Sequence, residues 1–226
     1  MLIRFVLTAV CCGFALDSLQ AADVKLSFKA EKAAPPMEIK EPIRALLGDD
    51  AIRIQDEKGV TVSMLWFRRE IPSKATAEQV KNGITYREIA ATTIVGAIQL
   101  PQKWIDYRKQ DIPKGVYTLR MALQPMDGDH MGTAPHNEFC LLCPADKDAK
   151  AEPIEVKAMH ELSASSHGAT HPAVLLLFPN SKPADEPSLI SKGGGIWVLL
   201  VKRPIVAGAG KTTLGFGMTV AGHTTE

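Results

Sequence analysis

Val60-Thr-Val-Ser-Met-Leu-Trp66 sets apolar side chains at 60, 62, 64 and 66, with Thr61 and Ser63 between them. A period of two marks a half-buried strand, because successive side chains leave opposite faces of the pleat. Working outward, Val24-Lys-Leu-Ser-Phe28 alternates in the same way. Further strand candidates are Thr92–Leu100, Val116–Leu123, Glu138–Cys143, Ala173–Phe178, Ile196–Val201 and Thr213–Val220. Pro and Gly punctuate the gaps: Pro101, Pro113 with Gly115, Pro125 with Gly128, Pro179, Gly193–Gly195, and Gly208 with Gly210. Short strands separated by turn signals, without βαβ alternation, predict a mostly β chain. The expected fold is a single antiparallel β-sandwich, immunoglobulin-like or jelly-roll, with one or two short helices. Thr76-Ala-Glu-Gln79 is a capping box that starts one helix, and Gly83 ends it. A second helix is expected over Ile154–Ser163. Lys29–Lys40 has linker composition.

The N-terminus reads as an export signal. Arg4 precedes an apolar run from Phe5 to Leu16, and small residues follow at Ala21-Ala22. That run is shorter than the ~20 apolar residues a membrane-spanning helix needs. The expectation is a signal peptide over 1–22, a mature domain over 23–226, and a periplasmic or secreted location. Cys11 and Cys12 would leave with the signal. The chain carries 26 Lys and Arg against 25 Asp and Glu, a net charge of +1, without the basic stripe that nucleic-acid binding requires. No later stretch spans a membrane, since Ile196–Val206 is broken by Lys202, Arg203 and Pro204.

Trp104-Ile-Asp-Tyr-Arg-Lys-Gln-Asp-Ile-Pro-Lys-Gly-Val-Tyr-Thr-Leu-Arg120, followed by Gln124-Pro-Met-Asp-Gly-Asp-His-Met-Gly-Thr-Ala-Pro135, resembles a family of uncharacterised exported proteins from planctomycete-type bacteria. The resemblance covers most of the mature chain and implies no activity.

Three partial motifs fail on their own chemistry. Ala207-Gly-Ala-Gly-Lys-Thr-Thr213 lacks the first glycine of a phosphate loop, where Ile205 stands, and precedes a strand-like run; it reads as a hairpin turn. His160-Glu161 has Ala164 where a zinc-protease helix needs its second histidine. Cys140-Leu-Leu-Cys143 precedes Pro144 rather than a haem-attachment histidine. In a strand, residues i and i+3 lie ~10 Å apart on opposite faces, beyond the roughly 4.4–6.8 Å a disulfide allows. The strand reading therefore predicts unpaired thiols, one facing the core and the other facing out. Ser163, Ser165 and Ser166 stand beside His167, but the sequence offers no third group to orient that base. Asp49-Asp50, Asp56-Glu57, Asp146 and Asp148 read as turns and solvated faces.

The histidines carry the sharper expectation. Five of the six fall between 130 and 171. Pro125–Asn137, a 13-residue connection between two strands, holds Met126, Asp127, Asp129, His130, Met131 and His136, and leads into Cys140. Imidazole, thioether and thiol suit copper, and imidazole with carboxylate suits zinc. A blue-copper site is excluded by spacing, since the first histidine after Cys143 is His160. Two function classes lead, with an enzyme of unrecognised site as a third. The first is a non-catalytic binding or structural module with an unknown ligand or protein partner. The second is a copper or zinc protein using Asp127, Asp129, His130, Met131, His136 and Cys140, with His167 and His171 as outlying candidates.

Overall fold

The computed structural model describes residues 25–124 and 134–224. Among the described residues, thirteen strands and three short α-helices run in the order β1 (Leu26–Lys32), α1 (Glu41–Arg44), β2 (Leu47–Asp56), β3 (Thr61–Arg68), β4 (Ile71–Ser73), α2 (Ala77–Asn82), β5 (Ile94–Leu100), β6 (Trp104–Ile105), β7 (Asp111–Ile112), β8 (Gly115–Leu123), β9 (Glu138–Pro144), α3 (Val156–Ala164), β10 (Val174–Pro179), β11 (Ser188–Gly193), β12 (Ile196–Ala207) and β13 (Gly210–Ala221). The chain is mostly β, as its periodicity predicts.

Eleven strands form one sheet in the order β1-β2-β3-β5-β8-β9-β10-β13-β12-β11, with β4 added parallel to β12. Every other pairing in it is antiparallel. The expected sandwich would split into two sheets; here the ladder is unbroken, and the sheet curls into a half-barrel whose edge strands β1 and β11 approach each other. β10 makes the corner. Its first half, Val174–Leu176, pairs with β9, and its second half, Leu177–Pro179, pairs with β13. A strand that changes partners midway turns the sheet.

The inside of the curl holds the main core, with Leu65, Phe67, Leu119, Met121, Leu175 and Phe216 among its buried residues. Two patches of the outer face are also covered. Ile39, Ile43 and Leu47, on and beside α1, bury Met64, Trp66 and Ala97. Met159 of α3 buries Ala122, Leu141 and Cys143. Strands covered on both faces lose strict alternation, which explains the apolar run Met64-Leu-Trp-Phe67. Gly96 lets β5 lie against β3, because a Cβ there would sit 2.5 Å from the Trp66 carbonyl oxygen.

The local expectations fare well. Thr76 and Gln79 form both bonds of the capping box, and Gly83 takes a positive φ of 100°. Gly208 and Ala209 turn the β12–β13 hairpin, with Ala207 paired to Gly210. Lys29–Lys32, read as the start of a linker, continue β1, and Ile39 further along is buried.

Candidate functional site

The sheet end where β5 stops and β8 begins opens into a cleft of ≈ 660 Å³. Gln99 and Leu100 come from the end of β5, Val116 and Tyr117 from the start of β8, and Ser165 and Ser166 from the turn after α3. Lys114 and Lys147 bring cations to its wall, and Glu38 and Asp146 bring anions. Tyr117 is fixed there by donating its hydroxyl to the Pro113 carbonyl at 2.7 Å. Lys147 Nζ donates to Ser165 Oγ at 3.4 Å.

Behind the two serines lies a chain of hydrogen bonds built on the β6–β7 hairpin. Asp106 is fully buried in the loop of that hairpin. Its Oδ1 accepts from the backbone N–H of Arg108 at 2.9 Å and of Gln110 at 2.8 Å, so a side chain ties the loop in place of a longer ladder. Its Oδ2 accepts from Val174 N–H at 2.9 Å and from Gln110 Nε2 at 2.8 Å. The hairpin is thus bolted to the first residue of β10. Gln110 Nε2 also donates to the Pro172 carbonyl at 2.9 Å. Gln110 Oε1 lies 3.2 Å from His167 Nε2, and His167 Nδ1 lies 2.8 Å from Ser166 Oγ. The third group absent from the local sequence around His167 is Gln110, 57 residues away along the chain.

A second buried polar node is structural. Arg120 on β8 is wholly buried on the outer face of the sheet. It makes a two-pronged pair with Asp148, Nε to Oδ2 at 2.8 Å and Nη2 to Oδ1 at 2.7 Å. Nη1 donates to the carbonyls of Thr92 at 2.7 Å and Glu152 at 3.3 Å, and Nη2 also donates to that of Lys150. All five guanidinium N–H groups therefore have acceptors. Thr118 donates its hydroxyl to Asp148 Oδ2. Asp148 was expected on a solvated face; it is 2% exposed and clamps residues 145–155 over β8.

Of the metal candidates, Asp127, Asp129, His130 and Met131 lie outside the described residues, as do Met126 and the signal segment. His136 packs edge-on against Phe178, ring centroids 4.8 Å apart. Burial holds its imidazole below the usual histidine range, with Glu138 opposing and Lys192 reinforcing the shift. Cys140 faces the main core and Cys143 faces α3. Both thiols are unpaired, as the strand reading predicts, but neither faces out: α3 covers the outer one. Burial raises both thiol pKa values, that of Cys143 to about 12. His167 and the exposed His171 lie at the start of β10, whereas His136 meets Phe178 near its end. Six strand residues, ~20 Å, separate Pro172 from Phe178. His136 and the outlying pair are therefore not brought together. Among the described residues no three His, Cys, Asp or Glu side chains converge as a metal set, and no helix is long and apolar enough to cross a membrane.

Compared with protein-family models, curated proteins and solved structures, the chain matches none.

Proposed function

We propose that this chain is an exported β protein that binds a small polar ligand in the cleft at the β5–β8 end of its sheet. The resemblance to exported planctomycete-type proteins and the N-terminal charge-apolar-small order support export. The carrying observation for binding is the cleft itself. Its ≈ 660 Å³ falls inside the roughly 300–1,000 Å³ range of small-molecule sites. Opposite charges and two serine hydroxyls border apolar walls, and the sheet behind them is held by buried residues. Saturation-transfer NMR against small carboxylates, amides and monosaccharides tests it, using wild type beside Gln99→Trp, which fills the cleft. A binder lost in the variant supports the reading. A library in which no binder depends on residue 99 overturns it.

A copper or zinc role is the second reading, favoured by His136. A partly buried imidazole held neutral is the ligating form of histidine, and His136 follows Met131 by five residues in the sequence. Elemental analysis before any chelator should then find stoichiometric metal that His136→Ala removes. Metal-free wild type would end that reading.

A further inference from the structure

The chain Asp106–Gln110–His167–Ser166 fixes the proton positions of its histidine. Both amide hydrogens of Gln110 are committed, to Asp106 Oδ2 and to the Pro172 carbonyl. The amide cannot be flipped without breaking both bonds, so Oε1 faces His167. An oxygen can only accept, so His167 Nε2 carries the hydrogen. The Nδ1 of the neutral ring then holds the lone pair, 2.8 Å from Ser166 Oγ, and the serine hydroxyl donates to it. A hydroxyl donating to an imidazole whose far nitrogen is held by an oriented acceptor is the arrangement that activates a nucleophile. A buried carboxylate in turn fixes the acceptor. Ser166 is only partly buried and lines the cleft, whereas Gln110 and Asp106 do not.

The geometry points to Ser166 as an acyl-accepting nucleophile for a small carboxylic ester in the cleft, with His167 as its base and Gln110 as the positioning residue. The inference rests on the cleft being a ligand seat. In the forward step Ser166 Oγ bonds to the ester carbonyl carbon while its proton passes to His167 Nδ1. The bond from that carbon to the leaving alkoxide oxygen then breaks, and His167 returns the proton to the alkoxide. Water repeats the sequence on the acyl-serine, releasing the acid and restoring the hydroxyl. No electrons are gained or lost. Lys147, bonded to the neighbouring Ser165, puts a cation on the wall of the same cleft, and a cation there favours the negative oxygen of the step.

The test is labelling of the full chain with a biotinylated alkyl fluorophosphonate, with the adduct mapped by peptide mass spectrometry. The expected result is one adduct, on Ser166, absent in Ser166→Ala and retained in Ser181→Ala, a change at an exposed serine outside the cleft. His167→Gln should slow labelling at least about 100-fold, the lower end of what a positioned base contributes, with an unchanged circular dichroism spectrum. The rate of labelling should depend on pH in wild type and lose that dependence in His167→Gln. No adduct, an adduct spread over several serines, or a rate indifferent to residue 167 overturns the nucleophile. Should wild type take no adduct yet bind a ligand that Gln99→Trp loses, the cleft reading stands and this one falls. A Ser166 adduct whose rate ignores Gln99→Trp supports the nucleophile and counts against the cleft as its seat.

Discussion

Thr92 takes a φ of 69°, the left-handed region, without being glycine. Such a β-branched residue costs about 1–3 kcal/mol, and its surroundings hold it there. Its N–H donates to the Met121 carbonyl at 2.7 Å, its own carbonyl accepts from Arg120, and its hydroxyl accepts from Ile154 N–H at 3.0 Å. The same guanidinium that holds Thr92 is neutralised by Asp148, so the strained turn, β8 and the covering segment share one charge pair. Asp148→Asn removes the counter-charge while keeping the shape. Urea denaturation should show a loss of about 3–5 kcal/mol, the scale for breaking a buried pair. The same change at exposed Asp146 should stay within about 0.5 kcal/mol. His136 gives the opposite kind of prediction, one of pH. Its folded pKa lies below the ordinary 6.5 because burial disfavours the cation. Below 6.5 the unfolded chain takes up a proton that the folded chain resists, so stability present above that pH is lost as pH falls toward the folded value. Urea midpoints at pH 7.5 and 5 should therefore fall further apart in wild type than in His136→Gln. Equal differences would show that His136 carries no such linkage.

At the scale of elements, β9 and α3 show what patterning conveys and what it omits. Glu138–Cys143 was legible as a strand from its run of apolar residues, and α3 from its helical spacing. That α3 lies over β9 was not legible, because no local period says which face a short helix will cover. Met159, Leu141 and Cys143 meet only through that packing. Met159→Ala should cost about 2–5 kcal/mol and expose Cys143. Native wild type should resist a thiol reagent at Cys140 and Cys143, whereas the variant should react at Cys143 first. β2 was not legible because Asp49-Asp50 and Asp56, turn-like in composition, bracket the buried Ala51, Ile52 and Ile54. β6 and β7, two residues each, are too short to carry a period. Arg120 alternates with Leu119 and Met121 as a solvated residue would, and only the distant cover reverses that reading. The cleft follows the same rule. Ser166 and His167 were visible as neighbours, but their orientation by Gln110 and Asp106 depends on a hairpin bolted to β10.

Across the whole molecule, Tyr86 joins the two halves of the chain. Its hydroxyl donates to the Phe178 carbonyl at 2.8 Å and accepts from Gly217 N–H at 2.9 Å, between β10 and β13, while its ring packs on Phe216. Tyr86→Phe keeps the ring and leaves two backbone groups without that partner. The expected cost is about 1–3 kcal/mol, read as a lowered Tm, and amide exchange at Gly217 should accelerate. An unchanged Tm and an unchanged exchange rate would show the hydroxyl to be idle. β13 follows every other strand in sequence yet lies inside the sheet, flanked by β10 and β12. During synthesis, therefore, the ribosome delivers this keystone after the strands that it joins. Until Gly210–Ala221 emerges, the second half of β10 has no partner and β12 lacks its inner neighbour, so the early strands wait as an open, adhesive surface that a holding chaperone would have to shield.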